Sequence, residues 1–336
     1  MANLGPVAMT RRWRDLLQER LAEAVGVLGA VPGVHGLIVG GSVGRGEPWP
    51  MSDIDLLPVY SDPGAATEVS RLRGELVDWW AASGRAQTLD LGRLAFTVAE
   101  VEAAVASRPS DAAGRMLDDR WFHGIDKSYG GRPSKGDELV GDFLEWVSAA
   151  RFDPAVVAVR IEQWRRAVSS AADRAARADS PEAATHHLRD GARALRLVLL
   201  EGWGERLGSM GREWTRFERM AARRGEAALA ARVAVLAGAE ALGALHRASA
   251  APLWLQERVD LCLAARREVG EDVTPDENAR DQLAAFAVHV ARYRPDLAGP
   301  WMRSPDPRSA ERLEELRELL GSVDPVARVA PAVPEL

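Results

Sequence analysis

Val34-His35-Gly36-Leu37-Ile38-Val39 runs straight into Gly40-Gly41-Ser42, and Ser52-Asp53-Ile54-Asp55-Leu56 follows, with Asp53 eleven residues after Ser42. The first segment is short, apolar and partly β-branched, the pattern of a buried strand that delivers a turn. Glycines at that turn allow positive φ and close approach, so backbone amides and the Ser42 hydroxyl can face phosphate oxygens without a Cβ in the way. Ile54 to Tyr60 reads as a second strand. Side chains two apart on a strand share a face, which makes Asp53 and Asp55 project together. Two carboxylates side by side repel unless a cation lies between them, and hard oxygen donors suit Mg²⁺. Two such ions, ~3.5–4 Å apart, would clamp the attacking and leaving oxygens of an in-line displacement.

A third carboxylate is expected from a neighbouring strand. Arg85-Ala86-Gln87-Thr88-Leu89-Asp90-Leu91 supplies Asp90 in an alternating context. Ala65 to Ser83, with Val69, Leu72, Leu76 and Trp79 or Trp80 at helical spacing, allows that strand to return beside the first two through an ordinary crossover. No spacing rule ties Asp90 to Asp53 and Asp55, so a surface position is the alternative. Asp118, Asp119 and Asp126 are next in line. Arg45 is open between a phosphate contact and solvation of the loop. Trp49, between Pro48 and Pro50, is read as local packing in preference to stacking on a nucleobase.

Val39-Gly40-Gly41-Ser42 and Ser52-Asp53-Ile54-Asp55-Leu56 resemble the signature of the nucleotidyltransferase superfamily that includes DNA polymerase β and the antibiotic nucleotidyltransferases. That signature is an apolar residue, Gly-Gly or Gly-Ser, a spacer, then Asp-apolar-Asp. The Ser-Asp-Ile-Asp-Leu form with Arg45-Gly46 in the spacer looks most like the bacterial branch that modifies small molecules, and Asp119-Arg120-Trp121-Phe122-His123-Gly124 resembles a segment that often follows the third carboxylate there. The resemblance covers residues 34 to 126. It implies an α+β fold: a catalytic domain over 1–150, built as a small mixed sheet flanked by helices. It also implies transfer of a nucleoside monophosphate from an NTP, with ATP as the expected donor and pyrophosphate leaving. By the same resemblance Asp53, Asp55 and Asp90 would be the catalytic and metal-holding residues for two Mg²⁺ ions. Gly40, Gly41, Ser42, Arg45 and Ser52 would lie against the nucleotide.

Of 336 residues, 47% are hydrophobic and 27% charged, enough for two domains with separate cores. Residues 1–150 carry 15 basic and 21 acidic side chains, while the remainder carries 28 of each. An acidic catalytic half attracts Mg²⁺ and cationic acceptors and repels polynucleotides, which disfavours a nucleic-acid partner. No signal peptide or spanning apolar run is read, so the expectation is a cytoplasmic chain without membrane contact. Cys262 is alone, which excludes an internal disulfide, and it lies in an apolar helical run. Lys127 and Lys135 are the only lysines; every other basic residue is arginine.

From Asp153 onward helix punctuation takes over. Asp153-Pro154, Ser180-Pro181 and Thr274-Pro275-Asp276-Glu277 read as N-termini, the last a capping box. Val157, Ile161, Trp164 and Val168 form one stripe, and Leu188, Ala192, Leu195 and Leu199 form another. An all-α bundle over 151–321 is expected as the substrate-side domain, broken mainly by the glycines of 202–214, with a loose tail over 322–336. Arg189, Arg193 and Arg196, at i, i+4 and i+7, read as a solvated face or as groups reaching an NTP phosphate. His186-His187 reads as surface or interface, without a further ligand at metal spacing.

The resulting expectation is Mg²⁺-dependent transfer of AMP to a hydroxyl of a small, cationic natural product, aminoglycoside-type antibiotics being the leading class. Resistance and biosynthesis would use the same reaction. Two other readings stand beside it: a toxin-like transferase acting on tRNA or a protein, and a non-catalytic NTP-binding module.

Overall fold

The computed structural model describes residues 6–84, 87–91, 94–206 and 211–323. Arg85, Ala86, Gly208 and all but the start of the expected tail lie outside them. The chain divides into two units, Met1–Val156 and Val157–Leu336.

The first unit is mixed α and β. Its elements are α1 (Pro6–Gly29), β1 (Val34–Val39), the single turn α2 (Gly41–Gly44), β2 (Ile54–Tyr60), α3 (Ala65–Ala82), β3 (Leu89–Asp90), β4 (Phe96–Thr97), α4 (Val98–Val105), α5 (Asp119–Ser128), β5 (Arg132–Lys135) and α6 (Asp137–Ala150). The sheet runs β3-β2-β1-β5, with β4 also on β2. β1 is antiparallel to both β2 and β5, whereas β3 and β4 pair parallel with β2. β3 meets β2 at Ile54 and Asp55, and β4 meets it at Val59 and Tyr60. Pro58, which has no N–H to give a ladder, falls in the gap between them.

All seven residues of β2 are buried, because both faces of the sheet are covered. Leu37 and Val39 of β1, with Ile54, Leu56 and Tyr60 of β2, join Leu17, Leu21 and Leu28 of α1 and Val69, Leu76 and Trp80 of α3 in one apolar cluster. The alternate residues face the other way: a Cβ on Gly36 would lie 2.5 Å from Val140 of α6 and 3.5 Å from Val59. Phe96, Trp121 and Phe143 interlock nearby, with ring centroids 4.9 and 5.1 Å from Phe96. Gly124 is required there, since a Cβ would come within 2.6 Å of the Phe96 ring. The period-2 alternation therefore sends Asp53 and Asp55 to the side occupied by α5, away from the α1/α3 cluster.

The second unit is helical: α7 (Pro154–Ala176, which begins in the first unit), α8 (Pro181–Gly202), α9 (Glu213–Arg223), α10 (Ala227–Leu236), α11 (Ala244–Ala248), α12 (Leu253–Glu268), α13 (Pro275–Tyr293) and α14 (Ser309–Ser322). The Asp153 carboxylate accepts from the Ala155 amide at 2.9 Å and the Ser180 hydroxyl from Ala183 at 3.1 Å, while Thr274 and Glu277 cap each other reciprocally. Leu188, Ala192, Leu195 and Leu199 are buried, as is Cys262. Among the described residues no helix is long and apolar enough to cross a membrane.

Candidate functional site

β1 ends at Val39, and the Gly40 amide donates to the Asp55 carbonyl at 2.9 Å, which seats the glycine turn directly against the start of β2. A Cβ on Gly40 would meet the Lys127 carbonyl at 2.6 Å and Leu57 at 2.8 Å. Gly41 has φ +59°, and a Cβ there would lie 1.7 Å from Asp55 Oδ2. Only glycine leaves this carboxylate its place. The first amides of α2 have no partner within a single helical turn, which leaves them as candidate donors to a ligand. Gly44 and Arg45 close the turn onto the Gly40 and Gly41 carbonyls at 2.8 and 3.3 Å.

Ser42 and Ser52 share a hydrogen bond of 2.9 Å, and the Ser52 hydroxyl also accepts from the Trp49 amide at 3.0 Å. Ser52 thus holds the loop against Ser42, and both serines are buried. Trp49 is only 2% exposed, which removes it as a stacking platform. Arg45 pairs with Glu47 at 3.6 Å and lays its stem over Gly130, where a Cβ would come within 2.9 Å.

The parallel pairing of β2 and β3 sets Asp55 opposite Asp90. This short strand is anchored from three sides: Ile54 N donates to the Thr88 carbonyl at 2.9 Å, Gln87 to the Ser52 carbonyl at 2.7 Å, and Arg73 to the Leu89 carbonyl at 2.8 Å. Asp55 is 3% exposed, Asp53 is half-buried, and the Asp90 side chain is 43% exposed. Three carboxylates of graded depth therefore meet beside the glycine turn.

Lys127 of α5 joins them. Its ammonium lies 2.5 Å from Asp55 Oδ1 and 3.9 Å from Asp90 Oδ2. Burial pushes the Asp55 carboxyl above the usual carboxylate range and Asp53 adds to that, with Lys127 opposing them. Burial pulls Lys127 down, but Asp55, Asp53 and Asp90 outweigh it and hold the ammonium above its ordinary value. Where the carboxylates need a cation, the chain supplies its own. The donor set, oxygens only, fits a hard divalent ion held by Asp53, Asp55 and Asp90, and glycine at 41 keeps the space beside Asp55 clear.

Lys127 is the residue that sequence reasoning missed. The available signal was its identity: a lysine in a chain whose basic residues are otherwise nearly all arginine. Two of the other candidates for a third carboxylate are differently employed. Asp118 caps α5 by accepting from the Arg120 amide at 2.8 Å, and Asp126 pairs with buried Arg151 at 2.8 Å.

In the second unit two expectations are corrected. Arg189, Arg193 and Arg196 do not form a solvated face. Arg196 is buried with its guanidinium 4.3 Å from the Trp214 ring centre, Arg193 pairs with Asp190 at 3.1 Å, and Arg189 donates to the carbonyls of Arg303 and Ser304. The apolar stripe is wide enough on α8 to take these stems with it. His186-His187 does have a third potential ligand, Asp190 one turn on, and their donor atoms lie within 4.8 Å of one another. Arg174 and Arg193, bonded to His187 and Asp190, bring positive charge against any cation there.

Replacing Gly41 by alanine is expected to cost about 1–2 kcal/mol for the positive φ alone, and more for displacing Asp55. A thermal melt equal to the wild-type one would show that the turn and Asp55 are not in register. No family model matches the chain, and no curated protein and no solved structure matches it either.

Proposed function

We propose that the first unit is the catalytic domain of a Mg²⁺-dependent nucleotidyltransferase that moves AMP from ATP to a hydroxyl of a small, cationic natural product, aminoglycoside-type antibiotics leading. The observation that carries it is the meeting of Asp53, Asp55 and Asp90 beside the Gly40-Gly41-Ser42 turn, with one ammonium already between Asp55 and Asp90.

In this reaction the acceptor oxygen forms a bond to the α-phosphorus, the bond from that phosphorus to the bridging oxygen breaks, and pyrophosphate leaves with the electron pair. Magnesium held by the carboxylates would neutralise charge on the phosphates and orient them in line. Gly41 and Ser42 amides receive phosphate oxygens. Asp90, the most exposed carboxylate, is the candidate to accept the hydroxyl proton. Lys127, once displaced from Asp55, has triphosphate oxygens within its natural role as a point charge. The acidic balance of residues 1–150 favours a cationic acceptor over a polynucleotide.

The direct test is pyrophosphate release from each NTP against a panel of aminoglycosides, lincosamides and nucleosides. ATP with an aminoglycoside is expected to give the strongest signal. ATP binding without pyrophosphate release from any acceptor, protein and tRNA included, would replace this function with a nucleotide-binding one.

Asp90→Asn is expected to keep Mg-ATP binding largely intact through Asp53, Asp55 and the turn while depressing the chemical step by about 10² or more. Single-turnover rates beside equilibrium binding check it, and an unchanged rate would make Asp90 a bystander.

A further inference from the structure

The helical unit holds a cavity of about 350 Å³ whose lining includes four arginines from separate parts of the chain. Arg189 comes from α8, Arg247 from α11, Arg303 from the segment before α14, and Arg312 from α14 itself. Glu240 and Asp306 are the acidic groups of the lining, and each is already matched: Glu240 with Arg303 at 3.2 Å, Asp306 with Arg312 at 2.8 Å. Arg189 and Arg247 form no close ion pair among the described residues, and Glu240, Asp306 and Asp276 act on them only from a longer distance. Arg189 donates to the Arg303 and Ser304 carbonyls at 3.1 and 2.8 Å, and Arg247 to the Leu242 and Glu240 carbonyls at 3.3 and 3.5 Å. Carbonyls orient a guanidinium but do not neutralise it.

The cations also converge by construction. Gly238 has φ +63°, and a Cβ there would lie 2.9 Å from Arg189 Nε and 3.2 Å from Arg303 Cδ. A side chain there would press on both arginines and adopt a strained backbone. Burial, and then repulsion from Arg193 and Arg303, pushes Arg189 down to about 10. Burial and Arg303 lower Arg247 in the same way. Asp306 and Glu240 oppose the shift at Arg189, and Glu240 and Asp276 oppose it at Arg247, but burial and the neighbouring guanidiniums outweigh them.

We propose that this cavity binds a small molecule carrying two or more phosphate charges. Guanidinium forks match phosphate oxygens two at a time, and several of them facing one space suit a di-anionic or larger group better than a single carboxylate. The volume lies at the lower end of the ~300–1,000 Å³ typical of small-molecule sites, which admits pyrophosphate with room left for a nucleoside or sugar. The site lies wholly within the second unit and does not depend on the reaction assigned to the first.

The test is calorimetric titration of the full chain with inorganic pyrophosphate and, separately, with ADP, both in EDTA so that carboxylates cannot take up phosphate through a divalent ion. Saturable binding is expected, weakened at least about tenfold by Arg247→Ala, further by Arg247→Glu, and untouched by Asp53→Ala. Tighter binding of ADP than of pyrophosphate identifies a nucleotide as the ligand; equal affinity means that phosphate groups alone are read. Phenylglyoxal modification of the wild-type protein gives a second measurement that needs no variant to fold: pyrophosphate is expected to protect Arg189 and Arg247. Absence of binding in EDTA, equal binding by folded Arg247→Glu, loss of binding in Asp53→Ala, or modification indifferent to pyrophosphate would each overturn the proposal.

Discussion

Replacing Asp53 or Asp55 by alanine is expected to lower nucleotidyl transfer by about 10³-fold or more while the protein stays folded. Under the proposed function, magnesium held here would stabilise transition-state charge by several kcal/mol, and each ~1.4 kcal/mol is a factor of ten in rate. The two substitutions differ in their effect on the fold. Asp53 is half-buried, so its loss touches solvent. Asp55 is buried beneath Gly41 and pairs with Lys127, so its loss strands an ammonium that Asp90 at 3.9 Å answers only in part. A modest fall in melting temperature is expected for Asp55→Ala and none for Asp53→Ala. Turnover near the wild-type rate in either variant, with saturating Mg²⁺ and ATP, would end the metal-assisted mechanism.

Lys127→Ala carries the second large effect, in two directions at once. Without the ammonium, three carboxylates face one another uncompensated. Breaking a fully buried pair costs ~3–5 kcal/mol. The lysine side chain is 34% exposed, and screening brings the expected loss to roughly 1–2 kcal/mol in metal-free protein. Because the ammonium occupies the place a divalent cation would take, its removal is expected to tighten Mg²⁺ binding. Turnover is nevertheless expected to fall by about 10², since a point charge on the triphosphate is lost. Magnesium titrations followed by melting temperature, set beside steady-state rates, separate the two effects. Equal Mg²⁺ affinity in wild type and variant would show that lysine and metal do not compete.

The pairing of opposite outcomes at Lys127 follows from where it sits, and its position marks the boundary of what the chain discloses by itself. Strand, glycine turn and Asp-x-Asp are neighbours in sequence, so their geometry follows from local rules: period 2 along β2 and positive φ at Gly41. Ser180, Thr274 and their prolines mark helix starts for the same reason, since a cap is satisfied within three residues. Asp90 was legible as a candidate only. Its place beside Asp55 depends on the register of β3 against β2, which hydrogen bonds from Ile54, Gln87 and Arg73 hold.

Lys127 lies 72 residues from Asp55 along the chain, and no local pattern announces that α5 will deliver it there. The arginines of α8 illustrate the same limit from the other side. Spacing put them on one face, but whether that face meets water or a neighbour is a property of packing, and here Arg196 ends over Trp214. Sequence by itself determined the mixed α and β class of the first unit, the helical class of the second, and the glycine turn with its paired aspartates, because these arise from residues close in the chain. Tertiary structure alone decided which charges meet: Lys127 with Asp55 and Asp90, and Arg189 with Arg303. Electrostatic partners are set by distance through space, which contiguity along the chain does not encode.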